Sequence, residues 1–184
     1  MWTLLTVPGY TNSGPDHWQS HWERADPMMR RVEQRDWDRP DPVAWATAID
    51  AAVSPETAAS TVLLGHSCGS VAVAHWVAQY GRQVAGAMLV APSDVERMGA
   101  EPALQAFGPV PLVPLPFPTL VVASEDDPYC TPERTQAFAR AWGSDLVFVG
   151  RAGHLNTASG HGPWLEGRAL LQQFCSRLQS ALWP

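Results

Sequence analysis

The stretch from Thr61 to Gly81 constrains this chain more than any other. Thr61, Val62, Leu63 and Leu64 form an apolar run of strand length, and Ser70 to Tyr80 favours a helix. Gly65-His66-Ser67-Cys68-Gly69 must therefore turn a strand into a helix within five residues. Side chains two positions either side of the serine would strike the opposing backbone, which explains glycine at both places. Such a turn holds the Ser67 side chain exposed above the sheet. The helix that follows is apolar nearly all round from Val71 to Ala78, as expected of a helix buried between layers, and Gly81 is its natural stop.

The remaining elements follow from periodicity and caps. Trp2 to Val7 predicts a first strand that stops at Pro8-Gly9. In Asp16 to Glu23, His17 with His21 and Trp18 with Trp22 lie four apart, each pair on one helical face. Arg31 to Trp37 reads as a second strand. Asp41-Pro42 supplies a cap and a first-turn proline for a helix running through Trp45, Ile49 and Val53. Val84 to Ala91 and Thr119 to Ala123 are apolar in the manner of strands buried on both faces, and Leu146 to Val149 is the last strand. Thr131-Pro132 opens a helix that ends at Trp142-Gly143. Another begins near Trp164 with a stripe of Leu170, Leu171, Phe174 and Leu178, its first turns weakened by Gly167.

Between Pro92 and Pro118, Val95 to Phe107 has room for a helix. The proline-rich remainder reads as a rigid extended crossover in preference to a ligand for a partner domain. Strands alternating with helices, about six of each at most, imply an α/β sandwich with a mostly parallel sheet covered on both faces. Functional groups in such folds stand on loops at the carboxyl ends of strands.

Composition narrows the function classes. The 184 residues suit one domain over 1–184, large enough to bury a core without disulfides or metals. A formal charge of −6, with no run of like charges, leaves no footprint for nucleic acid. No apolar run reaches the roughly 18 residues of a membrane span, and no export signal opens the chain. Cys68, Cys130 and Cys175 are odd in number and lack metal-site spacing, which points to a reducing compartment, the cytoplasm. The basic residues are all arginine, which reads as a coding bias.

A serine hydroxyl is a poor nucleophile near neutrality, so a serine at this turn demands a histidine base and a carboxylate to orient it, in the chain order serine, acid, histidine. His154, in Gly153-His154-Leu155-Asn156, follows the last strand as the base should. Ser124-Glu125-Asp126-Asp127-Pro128 follows the strand before it and offers three acids in a row, while Asp94 is a more distant candidate whose ordinary role is a turn or cap. Backbone donors for an oxyanion are expected at Cys68, immediately after the nucleophile, and at Tyr10, in the loop after the first strand. Cys68 sits one place off the apex, which argues against a cysteine nucleophile. His17 and His21 have zinc-like spacing but no third ligand, so aromatic packing is their expected role, and no cofactor or metal is implied.

The three motifs around Ser67, Asp127 and His154, with Pro8-Gly9-Tyr10, the His17-Trp18 to His21-Trp22 segment and Ser159-Gly160-His161-Gly162-Pro163-Trp164, resemble the small α/β-hydrolase family that includes the retinoblastoma-binding serine hydrolase. The resemblance covers nearly the whole chain. It implies a compact three-layer hydrolase lacking the first two strands of larger members, with Ser67, Asp127 and His154 as its triad. The expected activity is esterase-like cleavage of a small-molecule acyl substrate at an open or shallow site without a large lid. The competing reading is a protein-interaction module on a hydrolase scaffold.

Overall fold

The computed structural model describes residues 2–182. Its strands are β1 (Thr3–Val7), β2 (Met29–Arg31), β3 (Thr61–His66), β4 (Gly86–Val90), β5 (Thr119–Ala123) and β6 (Asp145–Phe148). They form one sheet in the order β2-β1-β3-β4-β5-β6, and every pairing is parallel. Helices α1 (Trp18–Ala25), α2 (Pro42–Ala52), α3 (Cys68–Tyr80), α4 (Pro132–Trp142) and α5 (Leu165–Leu182) complete the three layers.

Period-two alternation assigns each strand residue to a face. Leu5, Leu63, Leu89 and Val121 pack under α2, α3 and α4 with Trp45, Ile49, Phe138 and Trp142. Leu4, Leu64, Met88 and Val122 face α1 and α5, against Trp18, Trp22, Phe174 and Leu178. The central strands β3, β4 and β5 are buried on both faces, which is why they read as unbroken apolar runs. Caps occur where the residues required them: the Asp41 carboxylate accepts from the Ala44 N–H and the Thr131 hydroxyl from the Arg134 N–H, each ahead of a proline.

One expectation is corrected and two are sharpened. The second strand is Met29–Arg31, not Arg31 to Trp37; only one more ladder bond, from the Val32 N–H to the Thr6 carbonyl, extends it. Beyond that bond the ladder stops: Gln34 is buried outside any strand, so the strand-like look of the segment came from burial. Within the crossover the helical piece is a 3-10 segment, Pro102–Phe107. Gly167 serves packing: a Cβ there would lie 2.2 Å from the Trp164 ring. Among the described residues, no helix is long and apolar enough to cross a membrane, and no three His, Cys, Asp or Glu side chains are grouped to hold a metal.

Candidate active site

Ser67 ends the strand and begins the helix with φ 56° and ψ −126°, a conformation costly for a residue with a Cβ. The turn is tight enough to require its glycines. A Cβ on Gly65 would lie 2.8 Å from the Ser70 Cα, and one on Gly69 would lie 2.0 Å from the Val7 carbonyl oxygen. Gly9, in the loop after β1, passes so close that its Cβ would stand 2.9 Å from that of Ser67. The Ser67 N–H closes the elbow on the Val90 carbonyl at 3.0 Å.

The structure brings Ser67, His154 and Asp127 together. The Ser67 Oγ lies 2.9 Å from His154 Nε2, and His154 Nδ1 lies 2.9 and 3.0 Å from the Asp127 oxygens. Both side chains of the second pair are nearly excluded from solvent, at 8% and 3% exposure. The Tyr129 N–H donates to Asp127 at 2.8 Å, and the Tyr129 ring packs edge-on against His154.

The neighbouring acids face elsewhere. Asp126 accepts from the Ser124 hydroxyl and the Gly153 N–H, both at 2.8 Å, and so clasps the loop after β5 to the loop that carries His154. Those bonds, the Gly153 N–H foremost, hold its carboxyl below the usual range. Glu125 is exposed. Asp94 accepts from the Glu96 N–H and pairs with Arg134 at 3.3 Å, as a turn residue would.

Two supports hold the flanking loops. Arg31, at the end of β2, donates to Asn12 Oδ1 and the Ser13 carbonyl, both at 2.9 Å, and pairs with Glu23, which fixes the loop carrying Tyr10. Trp18 donates from its indole to the Leu155 carbonyl at 3.0 Å, Trp22 donates to the Pro163 carbonyl at 2.8 Å, and both rings pack on Trp164. The paired aromatic motif is thus a brace for the loop that carries His154. Cys68 opens α3, so its N–H has no acceptor within the helix. Its thiol is fully buried and pushed well above its ordinary pKa, far from thiolate chemistry.

Two close partners were not legible beforehand. The Ser93 Oγ stands 2.8 Å from the Ser67 Oγ. His66 Nε2 lies 3.0 Å from the His154 carbonyl oxygen; a carbonyl only accepts, so this nitrogen carries the proton. The spacing of serines and histidines along a chain carries no sign of such contacts. Burial, then His17 and His154, depress the His66 pKa, and burial, then Arg31, bring that of His17 down to about 3. His17 Nδ1 accepts from the Gln19 N–H and its ring packs on His66, so His17 braces the site as an aromatic residue.

A pocket of about 270 Å³ opens over Ser67. Tyr10 and Asn12 wall it from the loop after β1, and Arg97, Glu101 and Leu104 wall it from the crossover. The crossover therefore shapes the site, which its proline content alone did not foretell.

The sequence pattern of the serine hydrolase family matches residues 4–173. A protein described as a YdeN-like hydrolase from Pectobacterium atrosepticum has a solved structure 40% identical to this chain, with a TM-score of 0.84 over 97% of this chain and 92% of that one. The ydeN gene product of B. subtilis superposes with a TM-score of 0.76 at 19% identity, covering 96% of this chain and 100% of that one. A thermophilic esterase from Thermogutta terrifontis gives 0.70 at 18% identity, covering 97% and 90%. No curated protein matched the sequence. The two weaker likenesses speak to the fold; the family match over most of the chain and the 40% identical neighbour go further, and the protein is an enzyme of the serine hydrolase family with a small α/β-hydrolase fold.

Proposed function

We propose that this enzyme is of the carboxylesterase type and cleaves small acyl esters through an acyl-enzyme on Ser67. The observation that carries the reading is the unbroken hydrogen-bonded line from Asp127 through His154 to Ser67, each step at 2.9 to 3.0 Å. Asp127 keeps the His154 proton on Nδ1, leaving Nε2 free to take the Ser67 proton as Oγ attacks. The protonated imidazole then gives that proton to the leaving alcohol, and a water repeats the sequence to release the acid. The N–H groups of Cys68 and Tyr10 are the donors proposed for the oxyanion. A pocket of about 270 Å³ suits a modest acyl group. Three free cysteines, two of them buried, fit a reducing compartment, and we place the enzyme in the cytoplasm.

Labelling by a fluorophosphonate probe tests the assignment. Wild-type protein should be labelled and Ser67→Ala should not; a folded wild type that resists labelling would sink it. Among p-nitrophenyl esters, acetate and butyrate should be turned over with higher kcat/KM than palmitate. The retinoblastoma-binding resemblance supports a second reading, a protein-interaction module with incidental catalysis, and rests on motifs alone. Strong ester turnover abolished in Ser67→Ala would remove it.

A further inference from the structure

The hydroxyl of Ser93 touches the nucleophile, and counting protons fixes which way that hydrogen bond runs. A carboxylate offers only acceptors, so the two contacts from Asp127 require the proton of the neutral imidazole to sit on His154 Nδ1. His154 Nε2 is then an acceptor, and the hydrogen of Ser67 must point to it across 2.9 Å. Ser67 has no second hydrogen, so the 2.8 Å contact with Ser93 can only be Ser93 donating to the Ser67 Oγ. Among the described residues, the Ser93 hydroxyl has no other partner.

The placement is built into the fold. Ser93 is 5% exposed. It is held between Ala91, whose N–H donates to Val122 at 2.8 Å, and Asp94, whose N–H donates to Tyr129 at 3.0 Å and whose carboxylate pairs with Arg134. A donor so fixed costs no reorganisation when charge appears in front of it.

We propose that Ser93 is a catalytic residue that stabilises the negative charge developing on the Ser67 Oγ, above all when that oxygen departs from the acyl-enzyme. The proposal rests on the reading of Ser67 as nucleophile. In acylation the Oγ–carbonyl carbon bond forms, the Ser67 proton passes to His154 Nε2, and collapse expels the alcohol, which takes that proton. In deacylation a water adds to the same carbon and yields its proton to His154. The carbon–Oγ bond then breaks with its electron pair on Oγ, which recovers the proton from His154. The Ser93 proton never leaves Ser93. Its hydrogen bond strengthens as Oγ gains charge and relaxes when Oγ is an ester oxygen, so the transition states gain more than the intermediates they connect.

Pre-steady-state hydrolysis of p-nitrophenyl acetate separates the two steps, the burst reporting acylation and the steady rate deacylation. Ser93→Ala and Ser93→Gly each remove the hydroxyl, and thermal melting selects the folded variant. Deacylation should slow roughly 5- to 30-fold, the factor by which a hydrogen bond to a charged oxygen outweighs one to a neutral oxygen. A hydroxyl that merely aimed Ser67 would affect acylation alone, because the acyl-enzyme already tethers Oγ. Wild-type deacylation in either folded variant therefore overturns the proposal, whether or not acylation falls. Fluorophosphonate labelling of the same proteins separates the two readings: an unlabelled wild type overturns both, whereas a labelled wild type beside undiminished deacylation overturns only the role of Ser93.

Discussion

Asp126 and Asp127 stand side by side in sequence and do different work. Asp127 meets the imidazole of His154 with both oxygens, while Asp126 holds the Gly153 N–H and the Ser124 hydroxyl. Asp127→Asn should lower kcat by roughly 10³- to 10⁴-fold, because an amide can stabilise the wrong tautomer of the base. Asp126→Asn keeps an acceptor for Gly153 and should cost less than about tenfold. Kinetics of the two variants decides the assignment, and equal losses would contradict it. The carboxyl of Asp126 lies below its ordinary range in the folded state, so its contribution is present above the unfolded carboxylate pKa and is lost as pH falls through the folded one.

At the level of elements, the contact between α3 and β1 limits what the elbow tolerates. A Cβ on Gly69 would lie 2.0 Å from the Val7 carbonyl oxygen, and backbone cannot swing aside as a side-chain tip can. Gly69→Ala should destabilise the protein by about 3 kcal/mol or more, measured by urea unfolding; a loss below about 1 kcal/mol would mean that α3 can slide freely off the sheet. The same close packing explains which elements could be read in advance. Strands β3, β4 and β5 announce themselves because two-sided burial makes them apolar throughout, and Asp41-Pro42 and Thr131-Pro132 announce their helices by local capping chemistry. Strand β2 misleads because an edge strand pairs briefly while the chain beyond it goes on burying residues such as Gln34 outside the ladder. The order of Ser67, Asp127 and His154 along the chain reflects the fold's topology, so their meeting was legible. The contact between Ser93 and Ser67 was not, since it depends on where a loop after β4 comes to rest.

Across the whole molecule, buried neutral histidines couple stability to pH. His17 and His66 are each 5% exposed, and burial depresses both pKa values, that of His17 from 6.5 to about 3. Above the unfolded pKa neither state binds the proton. As pH falls below it the unfolded chain takes up protons that the folded chain refuses, so stability falls. The loss should reach about 2 kcal/mol for His17 by about pH 5, and His66 acts in the same direction. Urea unfolding at about pH 7.5 and 5 measures it, and His17→Asn, which preserves a capping side chain, should flatten the dependence. An unchanged slope in that variant would locate the acid sensitivity elsewhere.

The clasp between Asp126 and Gly153 has a further consequence. The loop that carries His154 descends from β6, a short, half-exposed strand at the margin of the sheet, and this clasp joins it to the loop of β5. Subglobal opening of that margin would part His154 from Ser67 while the central helices stay formed. Ester turnover should therefore vanish at a lower urea concentration than far-ultraviolet ellipticity; coincident curves would mean that the margin melts only with the rest.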